Sequence, residues 1–485
     1  MKDIHQLLNR SDALSISAHL KSKDFTPLEL LDTVIERVEK VNPHIHAISE
    51  INVDLARKDL QNPQLEKSFF GGIPTFFKDL FTSVKGMKMT NGSLALGNQI
   101  AEIDDHLIQR YKAAGTILLG ATASPEFGTS YTTESTRFGA VRSPWNSQYS
   151  AGGSSGGAAA VVAARIVPFA HGNDGGGSIR VPASCCGVFG LKPSRGLMPS
   201  GPFSGEGWAG MGTPHALTLS VRDSAALLDL TAGADLGSPY AAPKNSQTSY
   251  LDALKQPIKK LKIAMIEDIK PWGITLDAKL AVEHTARLCQ SLGHEVEITT
   301  LPLELEKFLH DCFTIIGVNT QDYVEFLGSI QGHPIDRQLL EPRTRIILKY
   351  CGQLSGAEYV RAVANMHALG RTFARMLEHY DVILTPTLAK APPKIGELDP
   401  FNENLHLDEM IEKFHSYSPF TAIFNATGQP AMSIPLYWTN QGLPIGAHFA
   451  GRFGDETTLL QLAHQLEQEQ PWHNKIPSIS AINIA

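Results

Sequence analysis

The sequence has no run of positive charge and no long apolar segment. Its 485 residues carry a net charge of −7, and without clustered lysine or arginine the chain lacks the electrostatic pattern of nucleic-acid binding. The longest apolar block, 156–167, is interrupted by Arg165, and the first residues do not have the pattern of a signal peptide. We therefore expect a cytoplasmic protein with neither a membrane nor a nucleic acid as its partner.

Cysteine is scarce as well. The cysteines are odd in number, form no C-x-x-C pair and have no nearby histidine pattern, which argues against a disulfide framework and against a zinc site. The five are Cys185, Cys186, Cys289, Cys312 and Cys351. We expect all of them to be free thiols.

Several common site motifs are missing or incomplete. The glycine clusters 152–157 and 175–177 fit neither G-x-x-x-x-G-K-[ST] nor a strand followed by G-x-G-x-x-G, and no S-x-x-K occurs. The pattern G-x-S-x-G does occur around Ser154 and Ser155, but a nucleophile elbow needs a strand that runs into the serine, and 145–150 is a poor strand. We therefore set aside nucleotide binding, the penicillin-binding-protein type of site and the α/β-hydrolase elbow.

The composition and the order of elements predict the fold class. Hydrophobic residues make up 42% of the chain and charged residues 19%, so a large core is expected. Strand patterns alternate with helix patterns along the chain, which predicts an α/β fold with a mixed β-sheet. The region from about 270 to 380 is mostly helical in pattern, and we expect it to be an insertion that covers the site.

The stretch 150–195 contains two serine sites. Glycines surround Ser154 and Ser155 and precede Ser178, and the run between them predicts a buried helix followed by a short strand. Glycine loses the most backbone freedom on folding, so such clusters indicate that the backbone comes very close to a ligand or to another segment. We interpret the stretch as the active site of a serine hydrolase of an unusual kind.

Lys78 is the candidate base for these serines. Most lysines lie at the surface, but this one is surrounded in sequence by Phe76, Phe77, Leu80 and Phe81, which predicts a buried segment. Burial lowers the pKa of a lysine because a low dielectric disfavours the ammonium ion, and the neutral amine can then accept a proton.

Together, Lys78, Ser154 and Ser178 resemble the amidase signature family. The chain has the family's Lys-Asp after a hydrophobic strand, its GGSSGG, and its GGSIR with the same spacing of 24 residues between the two serines. The following VPASCCGVFGLKPSRG is also similar to the family. Carboxy-terminal landmarks are matched at 420–421, 424–425, 427–431, 442–444 and 454–456.

The resemblance covers nearly the whole chain. It implies a single amidase domain over 1–485, with the signature core at about 65–220 and a large mixed sheet flanked by helices on both faces. It also implies a Ser-cisSer-Lys triad, in which Ser178 is the nucleophile, Ser154 is the bridging serine in a cis peptide and Lys78 is the base. No metal or organic cofactor is needed for this chemistry.

The glycines before Ser178 complete the implied site. Backbone N–H groups of Gly175, Gly176, Gly177 and Ser178 can converge on the oxygen of a tetrahedral intermediate and form an oxyanion hole. The supporting residues are Asp174, Arg180 and Ser155.

Two places differ from the family pattern. Residues 121–127 stand where many members have Lys-Thr-Asn before a Pro-Glu-Phe-like element, so the resemblance does not extend to a substrate contact made there. Gly175 stands where threonine or isoleucine is common. This second difference predicts a looser oxyanion loop.

The substrate class is less sharply indicated. The form HGNDGGGSIRVPASCCGVFGLKPSRG is similar to stand-alone amidases of the cyclic-dimer-hydrolase type, which implies hydrolysis of a small or cyclic amide with release of ammonia or an amine. The second interpretation is a glutamyl-tRNA amidotransferase A-type subunit, which supplies ammonia from glutamine within a complex. That subunit usually carries Tyr-Gly and Ser-Leu-Asp-Gln where this chain has 194–196 and 207–210.

Other interpretations stay open. A subunit or binding protein with a silent site is one, and a homodimer remains open as the assembly. The candidate substrate-pocket residues are Cys312, Phe203 and Trp208.

Overall fold

The computed structural model describes residues 4–243 and 249–484. These residues hold sixteen helices: α1 (Ile4–Arg10), α2 (Ala13–Lys21), α3 (Pro27–Ile45), α4 (Val53–Asp59), α5 (His106–Ala113), α6 (Gly156–Ala163), α7 (Arg180–Cys186), α8 (Val221–Thr231), α9 (Tyr250–Ala253), α10 (Leu276–Ser291), α11 (Leu305–Gln331), α12 (Pro342–Cys351), α13 (Gly356–His379), α14 (Leu407–His415), α15 (Thr421–Thr427) and α16 (Glu456–Glu469). No helix in these two ranges is long and apolar enough to cross a bilayer.

The same residues form fifteen strands: β1 (Ile48–Ile51), β2 (Ile73–Lys78), β3 (Thr116–Thr122), β4 (Glu134–Ser135), β5 (Gly139–Ala140), β6 (Arg142–Ser143), β7 (Asn146–Ser150), β8 (Phe169–Asp174), β9 (Phe189–Lys192), β10 (Thr213–Thr218), β11 (Lys262–Met265), β12 (Glu295–Ile298), β13 (Val382–Pro386), β14 (Ala431–Trp438) and β15 (Pro444–Gly451). Short 3₁₀ helices occur at Leu65–Lys67, Glu126–Gly128 and Arg337–Leu339.

An eight-stranded mixed sheet forms the core, which confirms the predicted fold class. Its strand order is β12-β11-β13-β15-β14-β9-β10-β8, with β11 parallel to both of its neighbours and the other pairs antiparallel. Helices pack on both faces. A Cβ on Gly446 of β15 would meet Ser184 of α7, whereas a Cβ on Gly451 would meet Leu459 of α16, and residues separated by an odd number of positions point to opposite faces of a strand.

A second, three-stranded sheet brings Lys78 to the core. Its order is β1-β3-β2, with β2 parallel to β3. All six residues of β2 are buried, and its isoleucine, threonine and phenylalanines suit a buried strand. Thr75 Oγ1 donates to the carbonyl oxygen of Phe169 at 2.8 Å, and the Lys78 N–H donates to His171 Nδ1 at 3.2 Å. The end of β2 is therefore a neighbour of β8.

The predicted helix and strand between the two serine sites are both present. Helix α6 begins directly after Ser155, and its glycine, alanine and valine residues are all buried. A helix that is apolar on every side has no solvent face and belongs inside a core. Gly157 permits this close packing, since a Cβ there would lie 2.5 Å from the carbonyl oxygen of Ala47. Strand β8 follows, and α7 begins shortly after it.

The first part of the region predicted as a helical insertion, about 270–380, belongs to the main sheet instead. Strand β12 extends the main sheet by parallel pairing with β11, and α10 connects the two, so this part is not a cover. Helix α11 begins at Leu305, and the prediction of a helical cover applies from there. This helix reaches loops next to Lys78, because Asn91 Nδ2 donates to Tyr323 Oη at 2.5 Å and the rings of Tyr323 and Phe127 lie 5.7 Å apart.

The segment 145–150 also differs from its prediction. Residues 146–150 form β7, which pairs with β6 in a small hairpin, so the expectation of a poor strand is wrong. Three of the five β7 residues are exposed, and the strand ends at Ser150, before the serine cluster begins. It is therefore not the buried strand running into the serine that a nucleophile elbow requires.

Candidate active site

Lys78 lies at the end of β2 with its side chain fully buried. Its Nζ is 2.8 Å from Ser154 Oγ and 2.6 Å from Asn173 Oδ1. Burial lowers the pKa of Lys78 well below its ordinary value, and the negative charge of Asp174 opposes this only in part. The predicted burial of this lysine is confirmed, and its amine is held against the first serine site.

Ser154 follows a cis peptide bond with Gly153 and is almost completely buried. The turn has no room for additional atoms. A Cβ on Gly153 would lie 2.6 Å from the carbonyl carbon of Thr132, and a Cβ on Gly156 would lie 2.4 Å from Thr133 Oγ1. Glycine is therefore required here for close approach of the backbone, as the cluster predicted.

Ser178 lies in the turn between β8 and α7 and is only 6% exposed. Its carbonyl oxygen accepts a hydrogen bond from the Ser155 N–H at 3.1 Å. The Ser155 hydroxyl donates to the carbonyl oxygen of Asn173, also at 3.1 Å. Ser155 therefore connects the segment of Ser154 to both ends of the loop that carries Ser178.

The glycine loop differs from the predicted oxyanion hole at one position. The Gly177 N–H donates to Asp174 Oδ1 at 2.7 Å, so the prediction that it serves as an oxyanion donor is wrong. In the part of the chain that the structure describes, the N–H groups of Gly175, Gly176 and Ser178 donate to no protein acceptor. These three groups remain available to a developing negative charge.

Two side chains hold the peptide between Gly176 and Gly177 through its carbonyl oxygen. The Gly176 carbonyl oxygen accepts hydrogen bonds from Thr421 Oγ1 at 2.6 Å and from Tyr131 Oη at 3.2 Å. Gly177 has a φ of +136°, and a Cβ there would lie 2.3 Å from Thr421 Oγ1. A residue with a side chain is excluded at this position by both its conformation and its neighbour.

Asp174 and Arg180 form a fully buried ion pair behind this loop. Nε and Nη2 of the guanidinium each lie 2.9 Å from one carboxylate oxygen. Asn425 Nδ2 donates to the same carboxylate at 2.9 Å. Burial works to raise the pKa of Asp174, but the charge and hydrogen bonds of Arg180 outweigh it and hold that pKa well below its usual range. Asp174 is therefore an ionised acceptor for the Gly177 N–H, consistent with the predicted scaffold.

Sequence reasoning missed four polar residues that contact this site: Asn173, Tyr131, Thr421 and Asn425. The last two lie in the family-like segments 420–421 and 424–425, but a motif match does not say which groups they contact. Asn173 had a weak signal, as a polar residue at the end of a buried strand. Tyr131 carried no signal beyond its place in a long loop.

The three candidate pocket residues lie in different surroundings. The ring of Trp208 lies against Gly175, where a Cβ would come within 2.8 Å of two ring carbons. Cys312 is buried among apolar residues of α11, and this burial raises the pKa of its thiol. Phe203 is 69% exposed, and the N–H groups of the preceding Ser200 and Gly201 donate to Asp235. The structure therefore brings Trp208 to the site and leaves Phe203 in solvent.

A buried lysine next to a serine, with a second serine after a glycine loop on an α/β fold, is the arrangement that the resemblance to the amidase signature family implies. The chain belongs to the Amidase family, whose profile matches residues 29–460. The resemblance stated from the sequence is therefore confirmed, and the protein is an amidase that hydrolyses carbon–nitrogen bonds of amides.

Three similar proteins each match nearly the whole chain. The 6-aminohexanoate-cyclic-dimer hydrolase of Paenarthrobacter ureafaciens is 34% identical over 488 residues, with 96% of each chain covered. A solved structure of 6-aminohexanoate cyclic dimer hydrolase complexed with substrate matches with a TM-score of 0.91 at 32% identity, over 97% of this chain and 99% of that chain. The A-type subunit of glutamyl-tRNA(Gln) amidotransferase from Thermotoga maritima matches with a TM-score of 0.78 at 26% identity, over 99% of each chain.

Proposed function

We propose that this amidase cleaves a small or cyclic amide through an acyl-enzyme on Ser178, with Ser154 as the bridging serine and Lys78 as the base. The observation that carries the proposal is the 2.8 Å contact between Lys78 Nζ and Ser154 Oγ in a buried setting. A serine hydroxyl is a poor nucleophile until a base removes its proton. An amine that burial keeps neutral can act as that base.

In the first half of the reaction, Ser178 Oγ forms a bond to the carbonyl carbon of the amide. Its proton passes to Ser154 Oγ, while the proton of Ser154 passes to Lys78 Nζ. When the tetrahedral intermediate collapses, the carbon–nitrogen bond breaks and the proton returns through Ser154 to the departing nitrogen. The product amine or ammonia leaves, and the acyl group stays on Ser178.

In the second half, a water molecule attacks the acyl group and gives its proton through Ser154 to Lys78. The bond to Ser178 Oγ breaks, the carboxylic acid leaves, and the proton returns to Ser178. In both halves, negative charge develops on the carbonyl oxygen. The N–H groups of Gly175, Gly176 and Ser178 are the donors we assign to it, since pre-oriented donors stabilise such a charge most effectively.

The substrate class follows from the relatives and from Trp208. The two relatives named for the cyclic dimer of 6-aminohexanoate are similar to this chain over nearly its whole length. That dimer is a ring of methylene groups and two amides, and the indole beside Gly175 offers an apolar wall for methylene groups. A small cyclic or aliphatic amide is therefore the substrate we propose.

The experiment uses the purified chain alone against short aliphatic, aromatic, peptide C-terminal and cyclic amides, with release of ammonia or amine as the readout. We expect turnover without a partner, labelling of Ser178 by a sulfonyl fluoride, and no turnover by Ser178→Ala that still folds. Turnover by Ser178→Ala at the wild-type rate would refute the assignment of Ser178 as the nucleophile. Activity only in a complex, with glutamine as the ammonia source, would instead support the amidotransferase subunit, and failure of Ser178 to be labelled would support a silent site.

A further inference from the structure

We infer that Asn173 positions the amine of Lys78 for catalysis and that an amide, rather than a carboxylate, is required at this place. The inference rests on the proposed function, because it assumes that Lys78 is the base. Asn173 is not among the site residues that were predicted from the sequence. It lies on β8, directly before Asp174, and its side chain and that of Ser154 both lie within hydrogen-bond distance of the amine.

The orientation of the Asn173 amide is determined by its partners. Asn173 Nδ2 donates to the carbonyl oxygen of Leu80 at 2.9 Å. A carbonyl oxygen can only accept, so the nitrogen must face Leu80 and the oxygen must face Lys78. Oδ1, 2.6 Å from Lys78 Nζ, is therefore an obligatory acceptor.

An obligatory acceptor directs the lone pair of the lysine. A neutral amine has two N–H groups and one lone pair, and only the lone pair can take a proton from Ser154. When one N–H of Lys78 is committed to Asn173 Oδ1, rotation about the Cε–Nζ bond is restricted. The lone pair can then stay directed at Ser154 Oγ, 2.8 Å away.

Asn173 is itself held by the serine segments. Its backbone carbonyl oxygen accepts from Ser155 Oγ at 3.1 Å, and the Ser155 N–H donates to the carbonyl oxygen of Ser178. Asn173 is thus connected through Ser155 to the segments that carry Ser154 and Ser178. A displacement of Asn173 would be transmitted to Lys78 directly.

The absence of charge on an asparagine matters as much as its oxygen. A carboxylate within 4–6 Å of a lysine favours the ammonium form and raises the pKa by about 1–3 units. Asp174 already exerts a pull of this kind on Lys78. An amide oxygen accepts the same hydrogen bond without adding a second negative charge, so the amine stays available as a base.

The test compares Asn173→Asp, Asn173→Ala and Asn173→Ser with the wild type. The readouts are kcat and KM across pH and the pH dependence of Ser178 labelling by a sulfonyl fluoride. Asn52→Asp is the matched control, because it makes the same chemical change at a helix N-cap, where aspartate and asparagine cap equally well.

In the pH profiles, kcat/KM and the rate of Ser178 labelling should rise at a pH about one unit or more higher in Asn173→Asp than in the wild type. At a pH below the midpoints of both profiles, this shift is about a tenfold loss of kcat/KM. Asn173→Ala should lose kcat by about tenfold or more with KM little changed, and Asn173→Ser should recover part of it. Asn52→Asp should keep the wild-type profile.

A wild-type pH profile in folded Asn173→Asp, or wild-type kcat in Asn173→Ala, would overturn the inference and leave the proposed function intact. If Asn173→Ala does not fold, the profile of Asn173→Asp or Asn173→Ser decides in the same way. Failure of the wild-type enzyme to be labelled at Ser178 would overturn the proposed function itself, and the inference with it.

Discussion

The indole ring of Trp208 occupies the space in front of Gly175. A Cβ on Gly175 would lie 2.8 Å from ring carbons Cε3 and Cζ3. Trp208 and Ala209 both have a φ of +52°, a region that residues with side chains rarely adopt. This bend delivers the ring to the glycine loop. That a glycine at this position loosens the loop stays a prediction; the structure shows that the ring fills the volume that a threonine or isoleucine side chain would take.

The contact between these two residues predicts a compensating pair of substitutions. Gly175→Ala should lower kcat/KM by roughly tenfold to a hundredfold, because a rigid ring cannot yield to the new methyl group and the glycine loop, with its proposed oxyanion donors, must shift instead. Trp208→Ala should raise KM for amides with apolar chains. The double variant should recover part of the loss of Gly175→Ala, and steady-state kinetics of the four proteins measures the coupling.

Phe203→Ala is the control for this cycle, since Phe203 belongs to the same loop but is mostly exposed. It should have wild-type kinetics. Strictly additive effects of the substitutions at 175 and 208 would contradict a direct contact between them.

The buried ion pair predicts a large loss of stability. Arg180→Ala should lower the free energy of unfolding by about 3–5 kcal/mol, because it leaves the Asp174 carboxylate buried without its countercharge. Urea denaturation measures the loss. The control is Glu295→Gln, which removes an exposed pair with Lys260 and should cost less than about 1 kcal/mol. Equal losses in the two variants would contradict an ionised scaffold behind the loop.

Features of the site and the fold can be predicted from the sequence where the signal lies in neighbouring residues of the chain. Lys78 is surrounded by apolar neighbours in sequence, and the glycines at 152–157 and 175–177 indicate close approach of the backbone. Alternating strand and helix patterns likewise predict the mixed sheet. In each case, the physical cause acts within a few residues along the chain.

Contacts between distant segments could not be predicted in this way. The Gly177 N–H is used by Asp174, which depends on how the loop turns after β8. The contact of Trp208 with Gly175 depends on two unusual backbone conformations, and no periodicity signals these. Strand β12 belongs to the main sheet because it pairs with β11, which is a long-range property.

Thr421 offers a test of how the glycine loop is oriented. Thr421→Val keeps the shape of the side chain but removes the hydroxyl that donates to the Gly176 carbonyl oxygen at 2.6 Å. We expect kcat to fall by about tenfold or more, somewhat less than the loss caused by deleting a direct oxyanion donor. Thr372→Val on α13, whose hydroxyl donates within its own helix, is the control. Unchanged kcat in Thr421→Val would show that Tyr131 alone suffices to hold this peptide.

The pH dependence of the reaction tests Lys78 directly. Burial holds the pKa of Lys78 in the folded protein well below the ordinary lysine value of 10.5, and the proposed mechanism requires the neutral amine. As the pH falls through this lowered pKa, the amine takes up a proton and kcat/KM should fall with it; as the pH rises, activity should reach a plateau.

Lys78→Arg should lose about 10²–10⁴-fold in kcat at every pH, because a guanidinium stays protonated and cannot serve as a base. Lys85→Arg, an exposed lysine in the following loop, should keep the wild-type profile. A Lys78→Arg enzyme that regains activity at high pH would contradict the assignment of Lys78 as the base.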